Sequence, residues 1–396
     1  MGRRLIIFFI ILSSVGFFNI VLLPVRLGFL VQFAITGGML LFIVIQEIYG
    51  KTERLEHNFK IPVFLIFTGI FLSMIAANAY HGQNFGLTIW AQRAMYFYLF
   101  YFFLHYLKPD KEELEKIVLT IGILYTIFYL LQWAIYPTMI FDVRQVDARG
   151  TIRIFLPGAS FLTFALYLCL HRFYRNNEIK YIFLVVAFLS ILVLMATRNF
   201  LASVILVILY SLIFGKTIRS RYIIYFLILL SVIPIFIIFQ DIFIEMVELS
   251  ERQSENFETD IRVRAAKFFL TDFFPNKLTY IMGNGQDHGQ SIYGMRILTY
   301  KIAHGYYQSD IGIIGDFSKF GLFYIVGYFW LFVKVFSIKL KPEYGYVKYF
   351  FLLNILSMPF GSASSSGIVA LCILMYILDI NLFEISEEEK QTQLTG

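Results

Sequence analysis

Tyr181-Ile-Phe-Leu-Val-Val-Ala-Phe-Leu-Ser190-Ile-Leu-Val-Leu-Met195-Ala-Thr-Arg198-Asn-Phe200 runs on as an apolar stretch to Phe214, and Thr197-Arg198-Asn199 is its one polar break. Taken as a single span, it puts the basic groups Arg172–Lys180 and Lys216–Arg221 on opposite sides of a membrane. Taken as two helices, Tyr181–Ala196 and Phe200–Phe214, it puts them on the same side. Each helix then covers roughly 22–24 Å at 1.5 Å per residue, less than the ~30 Å hydrocarbon core. The two-helix reading needs only a tight hairpin at Arg198, surrounded by protein or water. It is the reading adopted.

Working outward, earlier apolar runs give spans at Leu5–Leu23, Leu27–Ile48, Ile61–Ala79, Leu87–Leu107, Ile117–Tyr136 and Ile154–His171. Later runs give Tyr222–Gln240, Gly312–Phe336, Tyr349–Pro359 and Gly367–Phe383. Pro24, Pro62, Pro137 and Pro359 fall near boundaries, where a missing N–H does least harm. The composition agrees: 59% hydrophobic and only 15% charged, where a soluble chain carries about 25% charged residues. The expected fold is therefore all-α, a polytopic integral membrane protein of about twelve transmembrane helices. Met1-Gly-Arg-Arg followed by an apolar run reads as an uncleaved first span.

Lys and Arg cluster in alternate loops, which makes that side cytoplasmic and places both termini there. The division expected is 1–240 for helices 1–9, 241–310 for a large outer loop with an amphipathic helix, 311–383 for helices 10–12, and 384–396 for a cytoplasmic acidic tail. The net charge of +6 is too modest to point to nucleic acid. Cys169 and Cys372 both lie inside apolar runs, so no disulfide framework is implied.

The outer side collects Arg93, Arg144, Arg149, Arg153, Arg198, Arg252, Arg262, Arg264 and Arg296. Short non-cytoplasmic loops normally avoid cations, and guanidinium groups suit bidentate recognition of phosphate. Each alone also reads as an interface or structural arginine. Arg198 sits where an unpaired charge is expensive. Thr259–Phe274 reads as a surface helix capped by Thr259 or Asp260, with Ile261, Ala265, Phe268 or Phe269 and Phe273 on one face and Asp260, Arg264, Lys267 and Thr271 on another. Gly283-Asn-Gly285-Gln-Asp287-His288-Gly289 lacks the third glycine and the preceding strand of a dinucleotide site. It reads as a turn that offers N–H groups to a sugar or phosphate. His304 is a candidate proton acceptor, with Asp260 and Asp287 as alternatives, and an incidental loop histidine is the bland reading. No Cys, His, Asp or Glu set has metal-ligand spacing, and no Walker or Gly-x-Ser-x-Gly motif is present. No metal and no cofactor are expected.

Leu194-Met-Ala-Thr-Arg198-Asn resembles the arginine-bearing hairpin of the bacterial O-antigen polymerase and O-antigen ligase superfamily. Asp260-Ile-Arg262-Val-Arg264 with the aromatic helix after it, Gly283-Asn-Gly285, and His304 through Asp310-Ile-Gly312 resemble that family's large periplasmic loop and the re-entry into the next span. Two positions depart. Phe268 and Phe269 stand where a tryptophan is frequent, and Gly305 follows His304 where asparagine is common. The resemblance implies a GT-C-like fold in the bacterial inner membrane and metal-independent glycosyl transfer. The reaction would polymerise undecaprenyl-diphosphate-linked oligosaccharide repeats into O-antigen, capsule or exopolysaccharide, with an O-antigen ligase or a flippase as alternatives. It implies Arg198, Arg262 and Arg264 on the diphosphate and His304 on the acceptor proton. Arg93, Arg149, Arg153, Asp260, Gly283, Gly285, Asp287 and Asp310 would contact substrate. The implied partners are the lipid-linked glycan, membrane lipid, a chain-length regulator and a flippase.

Overall fold

The computed structural model describes residues 2–50, 55–148, 151–214, 240, 244 and 260–395. Arg149, Arg252 and the expected span Tyr222–Gln240, apart from Gln240 itself, lie outside the described residues.

The first apolar run is not a span. Helix α1 (Gly2–Ser14) ends where Gly16, Phe17, Phe18 and Asn19 all take positive φ, and Ile20 then bridges to Phe141. Pro24 starts α2 (Val25–Tyr49). Helix α3 (Lys60–His81) stops at Gly82, whose left-handed φ of 65° closes it. The run expected as Leu87–Leu107 is broken into α4 (Phe85–Ala91), a 3-10 stretch (Arg93–Tyr98) and α5 (Leu99–Leu107). Helix α6 is Lys111–Ala134. An antiparallel hairpin follows, β1 (Gln145–Ala148) with β2 (Thr151–Ile154), in which Val146 faces Arg153. Then come α7 (Ala159–Asn176), α8 (Ile179–Leu194) and α9 (Arg198–Phe214).

The second half holds α10 (Ile261–Leu270), α11 (Lys277–Met282), α12 (Ile292–His304), α13 (Gly312–Ser337), α14 (Gly345–Ser357) and α15 (Ser365–Thr395). One large core joins α1, α2, α3 and α5 through α9 with α13, α14 and α15. A smaller cluster of Ala265, Phe269, Phe273, Tyr293, Ile297 and Ile311 sits under α10 and α12.

The twelve-helix expectation is corrected. Among the described residues, five helices are long and apolar enough to cross a membrane: Val25–Tyr49, Lys60–His81, Lys111–Ala134, Gln308–Ser337 and Ser365–Gln393. Helices α8 and α9 are shorter apolar helices. Hydropathy assigns a span to any apolar run, but apolar residues serve equally to pack helix on helix. Helix α7 buries both its faces, from Phe161 through Leu170, so its apolar residues face protein. Helix α15 has 72% of its most apolar window buried, against 22% for α2. The all-α expectation holds, with the short β1–β2 hairpin as an addition to it.

Several of the basic residues read as topology signals pair with acidic residues of distant elements: Arg3 with Glu113, Arg172 with Glu115, Arg175 and Lys111 with Glu343. The acidic tail is not a separate solvated end. Helix α15 runs through it, and Glu384 and Glu388 pair with Lys341 at 3.1 and 2.8 Å. The multi-pass inner-membrane placement with both termini cytoplasmic depended on twelve alternating spans, and it falls with them. So does the GT-C-like membrane glycosyltransferase. Repeat-unit polymerisation, and the ligase and flippase alternatives beside it, presuppose a tightly packed multi-span architecture that the described helices do not form.

Candidate functional site

Four arginines expected from the sequence to gather on one side are brought to one cavity. It measures about 570 Å³, and Arg144, Arg153, Arg198 and Arg262 all line it. Each arrives from a different element. Arg144 immediately precedes β1 and Arg153 lies in β2, and their guanidinium carbons sit 5.6 and 5.0 Å from the Phe155 ring centre. Such stacking is a usual arginine contact. Arg153 Nε also donates to the Met195 carbonyl at 3.1 Å, which ties the hairpin to the end of α8.

Arg198 opens α9 just past the turn from α8. The turn is made at Ala196, a non-glycine residue at φ 47°, a conformation that costs about 1–2 kcal/mol. The break places Arg198 at the start of α9, where it lines the cavity. Arg262 comes from the first turn of α10, whose N-cap is Asp260, accepting from the Arg262 N–H at 2.7 Å.

The opposite wall comes from α13, α14 and the start of α15. Phe350, Leu353, Phe360 and Leu371 supply apolar surface, and Asn354, Ser357, Ser362 and Ser364 supply polar groups. Tyr98 is fully buried and lines the cavity, with the Tyr324 hydroxyl beside its own. Two carboxylates line the same space. Asp316 is buried and accepts the Ala363 N–H at 2.9 Å, with Lys319 3.9 Å away. Asp310 is exposed and accepts from the Ser309 hydroxyl at 3.1 Å. Among the described residues, no carboxylate lies within ion-pair distance of Arg144 or Arg262. Four guanidinium groups and two carboxylates thus share this space with an apolar wall.

Other expected site residues are elsewhere. Arg264 is exposed and does not line the cavity. It follows Arg262 by two positions, about 200° around a helix, so only one of the two can face it. His304 is exposed at the last turn of α12, against Tyr306 at 5.3 Å, and is absent from the lining. Arg93 lies flat on Phe29 at 3.5 Å and donates to the Trp90 carbonyl; burial lowers its pKa. Asp287 pairs with Lys301 at 3.7 Å.

The Gly283–Gly285 turn is not an outward-facing cradle. Asn284 is fully buried, and the three N–H groups donate to the carbonyls of Thr279, Ser318 and Lys319. None remains for a ligand. Ile261, expected on the buried face of α10, is 49% exposed.

Sequence reasoning missed Tyr98, Asp316 and Asn354, which look like ordinary members of apolar runs. It also passed over Gly361-Ser-Ala-Ser-Ser-Ser-Gly367, a run of small polar residues between apolar segments, whose composition was a readable sign of a polar wall. Among the described residues no group of three or more His, Cys, Asp or Glu is placed to hold a metal ion. The chain matches no protein-family model, no curated protein and no solved structure.

Proposed function

We propose that the cavity binds the phosphate or diphosphate group of an amphiphilic ligand. The observation that carries this is the convergence of Arg144, Arg153, Arg198 and Arg262 on one space whose other wall is largely apolar. Guanidinium forks match phosphate oxygens in pairs, and they work best where an apolar wall lowers the local dielectric. The apolar wall takes the ligand's hydrocarbon. Among such ligands a polyprenyl diphosphate, the carrier form that the sequence resemblance implied, combines both parts.

Equilibrium binding to the purified full chain tests this with three probes: farnesyl diphosphate, inorganic diphosphate and farnesol. Farnesyl diphosphate is expected to bind most tightly, to weaken with added salt, and to weaken about tenfold or more when Arg262 becomes Ala. Equal binding of farnesol and farnesyl diphosphate would overturn the proposal.

A further inference from the structure

A second group of ionisable side chains lies away from the arginine-lined cavity. Asp379 of α15 is 2% exposed and His105 of α5 is fully buried. Asp379 Oδ2 accepts from the Tyr101 hydroxyl at 2.6 Å and lies 3.0 Å from His105 Nε2. His105 Nδ1 lies 2.8 Å from the Tyr101 carbonyl oxygen. The Tyr101 hydroxyl in turn accepts the Phe59 N–H at 3.1 Å.

The directions of these bonds count the protons. A carbonyl oxygen only accepts, so His105 Nδ1 carries a hydrogen. The Tyr101 hydroxyl accepts from Phe59 and gives its own hydrogen to Asp379. Between Asp379 Oδ2 and His105 Nε2 there must then be a further hydrogen. A neutral imidazole already protonated at Nδ1 and an ionised carboxylate would instead set two lone pairs against each other. The pair therefore holds one shared proton, as imidazolium with carboxylate or imidazole with carboxylic acid, and is neutral overall in either form.

We propose that His105 and Asp379 form a proton-binding site, and that holding the proton keeps the His57–Phe59 segment closed. The segment is tied to the site twice. Phe59 N–H is bonded to Tyr101, and the His57 ring covers the His105 ring at 4.2 Å. The outer side of the same segment lines a second cavity of about 540 Å³, with Glu56, His57, Asn58, Lys60 and Lys334 around it. When the proton leaves to bulk solvent, Asp379 becomes a buried carboxylate facing a lone pair. Such a charge is expensive without water or a partner. His57 and Asn58 touch the pair and also line that second cavity, so the segment opens to admit water as the pH rises.

Among the described residues, few ionisable groups face the pair. The Tyr376 ring lies 5.0 Å from His105, with its hydroxyl donating to the Pro109 carbonyl. Cys372 of α15 faces the Phe97 carbonyl at 3.6 Å. His57 stacks on His105, and Lys334 of α13 donates to the Asn58 carbonyl. Cationic His57 or Lys334 would favour the carboxylate and so ease loss of the proton.

Asp379→Asn tests the idea, because it leaves no carboxylate to ionise. Tyr101 and His105 both face one oxygen, Oδ2, so the amide serves only one of them, and the variant's opening is set by that lost bond and not by pH. Amide exchange of the peptide Leu55–Lys60 is compared between the wild-type full chain and Asp379→Asn at matched pH, so intrinsic rates cancel. The wild-type to variant ratio is expected to be flat at low pH and to rise about tenfold per pH unit once the pair loses its proton. Asp379→Ala is expected to open the segment at every pH. A ratio that stays flat with pH overturns the proposal, as does an Asp379→Asn chain that keeps the wild-type pH dependence. Should Asp379→Asn not accumulate, wild-type exchange at Phe59 relative to Ala165, deep in α7, gives the first reading: a ratio flat with pH overturns the proposal.

Discussion

Gly283 and Gly321 meet so closely that neither tolerates a side chain. A Cβ on Gly283 would lie 2.3 Å from the Lys319 carbonyl oxygen, and one on Gly321 would lie 2.3 Å from the Ile281 carbonyl oxygen. Both have positive φ, 77° and 73°. Gly321 is also the point where α13 departs from helical geometry. The turn after α11 is thus fitted into a break in α13, and the break holds the first part of α13, with Asp316, against the cavity.

Alanine at either glycine combines a disfavoured φ with a steric overlap against backbone. Gly283→Ala and Gly321→Ala are each expected to lose at least about 2 kcal/mol of stability, read from unfolding of the purified chain. Gly289→Ala, with nothing within 4 Å of its added methyl, is the control and is expected to stay within about 0.5 kcal/mol. Equal losses at all three positions would show that the close approach is not what matters.

Asn284 lies between those two contacts. Its Nδ2 donates to the Ser318 carbonyl at 3.0 Å, and its Oδ1 faces His81 Nε2 at 2.9 Å. Asn284→Asp keeps the shape but, when ionised, presents only lone pairs to the Ser318 carbonyl. The buried mismatch is expected to cost about 1–3 kcal/mol. A variant as stable as wild type would mean that the amide donates nothing of consequence there.

The arginines divide into those at the cavity and those outside it. Arg198→Lys keeps the charge but loses the planar fork, and it is expected to weaken binding of a diphosphate amphiphile several-fold or more. Arg264→Ala and His304→Ala are expected to leave binding within about twofold, since surface changes away from a contact are small. Titration of these three variants beside Arg262→Ala checks this. A larger loss at Arg264 than at Arg262 would contradict the observed face of α10.

Glu115 is buried, with its oxygens taken by Arg172 and by the Tyr346 hydroxyl at 2.7 Å. Arg172→Met strands that carboxylate and is expected to cost about 3–5 kcal/mol. Removing both charges, as Arg172→Met with Glu115→Leu, is expected to recover most of the loss, because an apolar pair needs no desolvated charge. If the double variant is no more stable than the single one, the pair is not the source of the effect.

Some features were readable from residues alone, because they rest on local chemistry. The apolar runs mark helical segments, the Asp260 carboxylate marks the start of α10, and Thr197-Arg198-Asn199 marks the break between α8 and α9. The gathering of arginines also stood out by composition. What the runs pack against was not readable. An apolar side chain buried on a neighbouring helix and one facing outward look identical in sequence. Phe161 through Leu170 of α7 and the exposed residues of α2 therefore read alike, and the span count came out too high. The choice of Arg262 over Arg264, the burial of Asn284, and the meeting of Asp379 with His105, 274 positions apart, needed the tertiary structure. Each depends on the azimuth of a helix or the approach of distant backbones, and neither is set by neighbours along the chain.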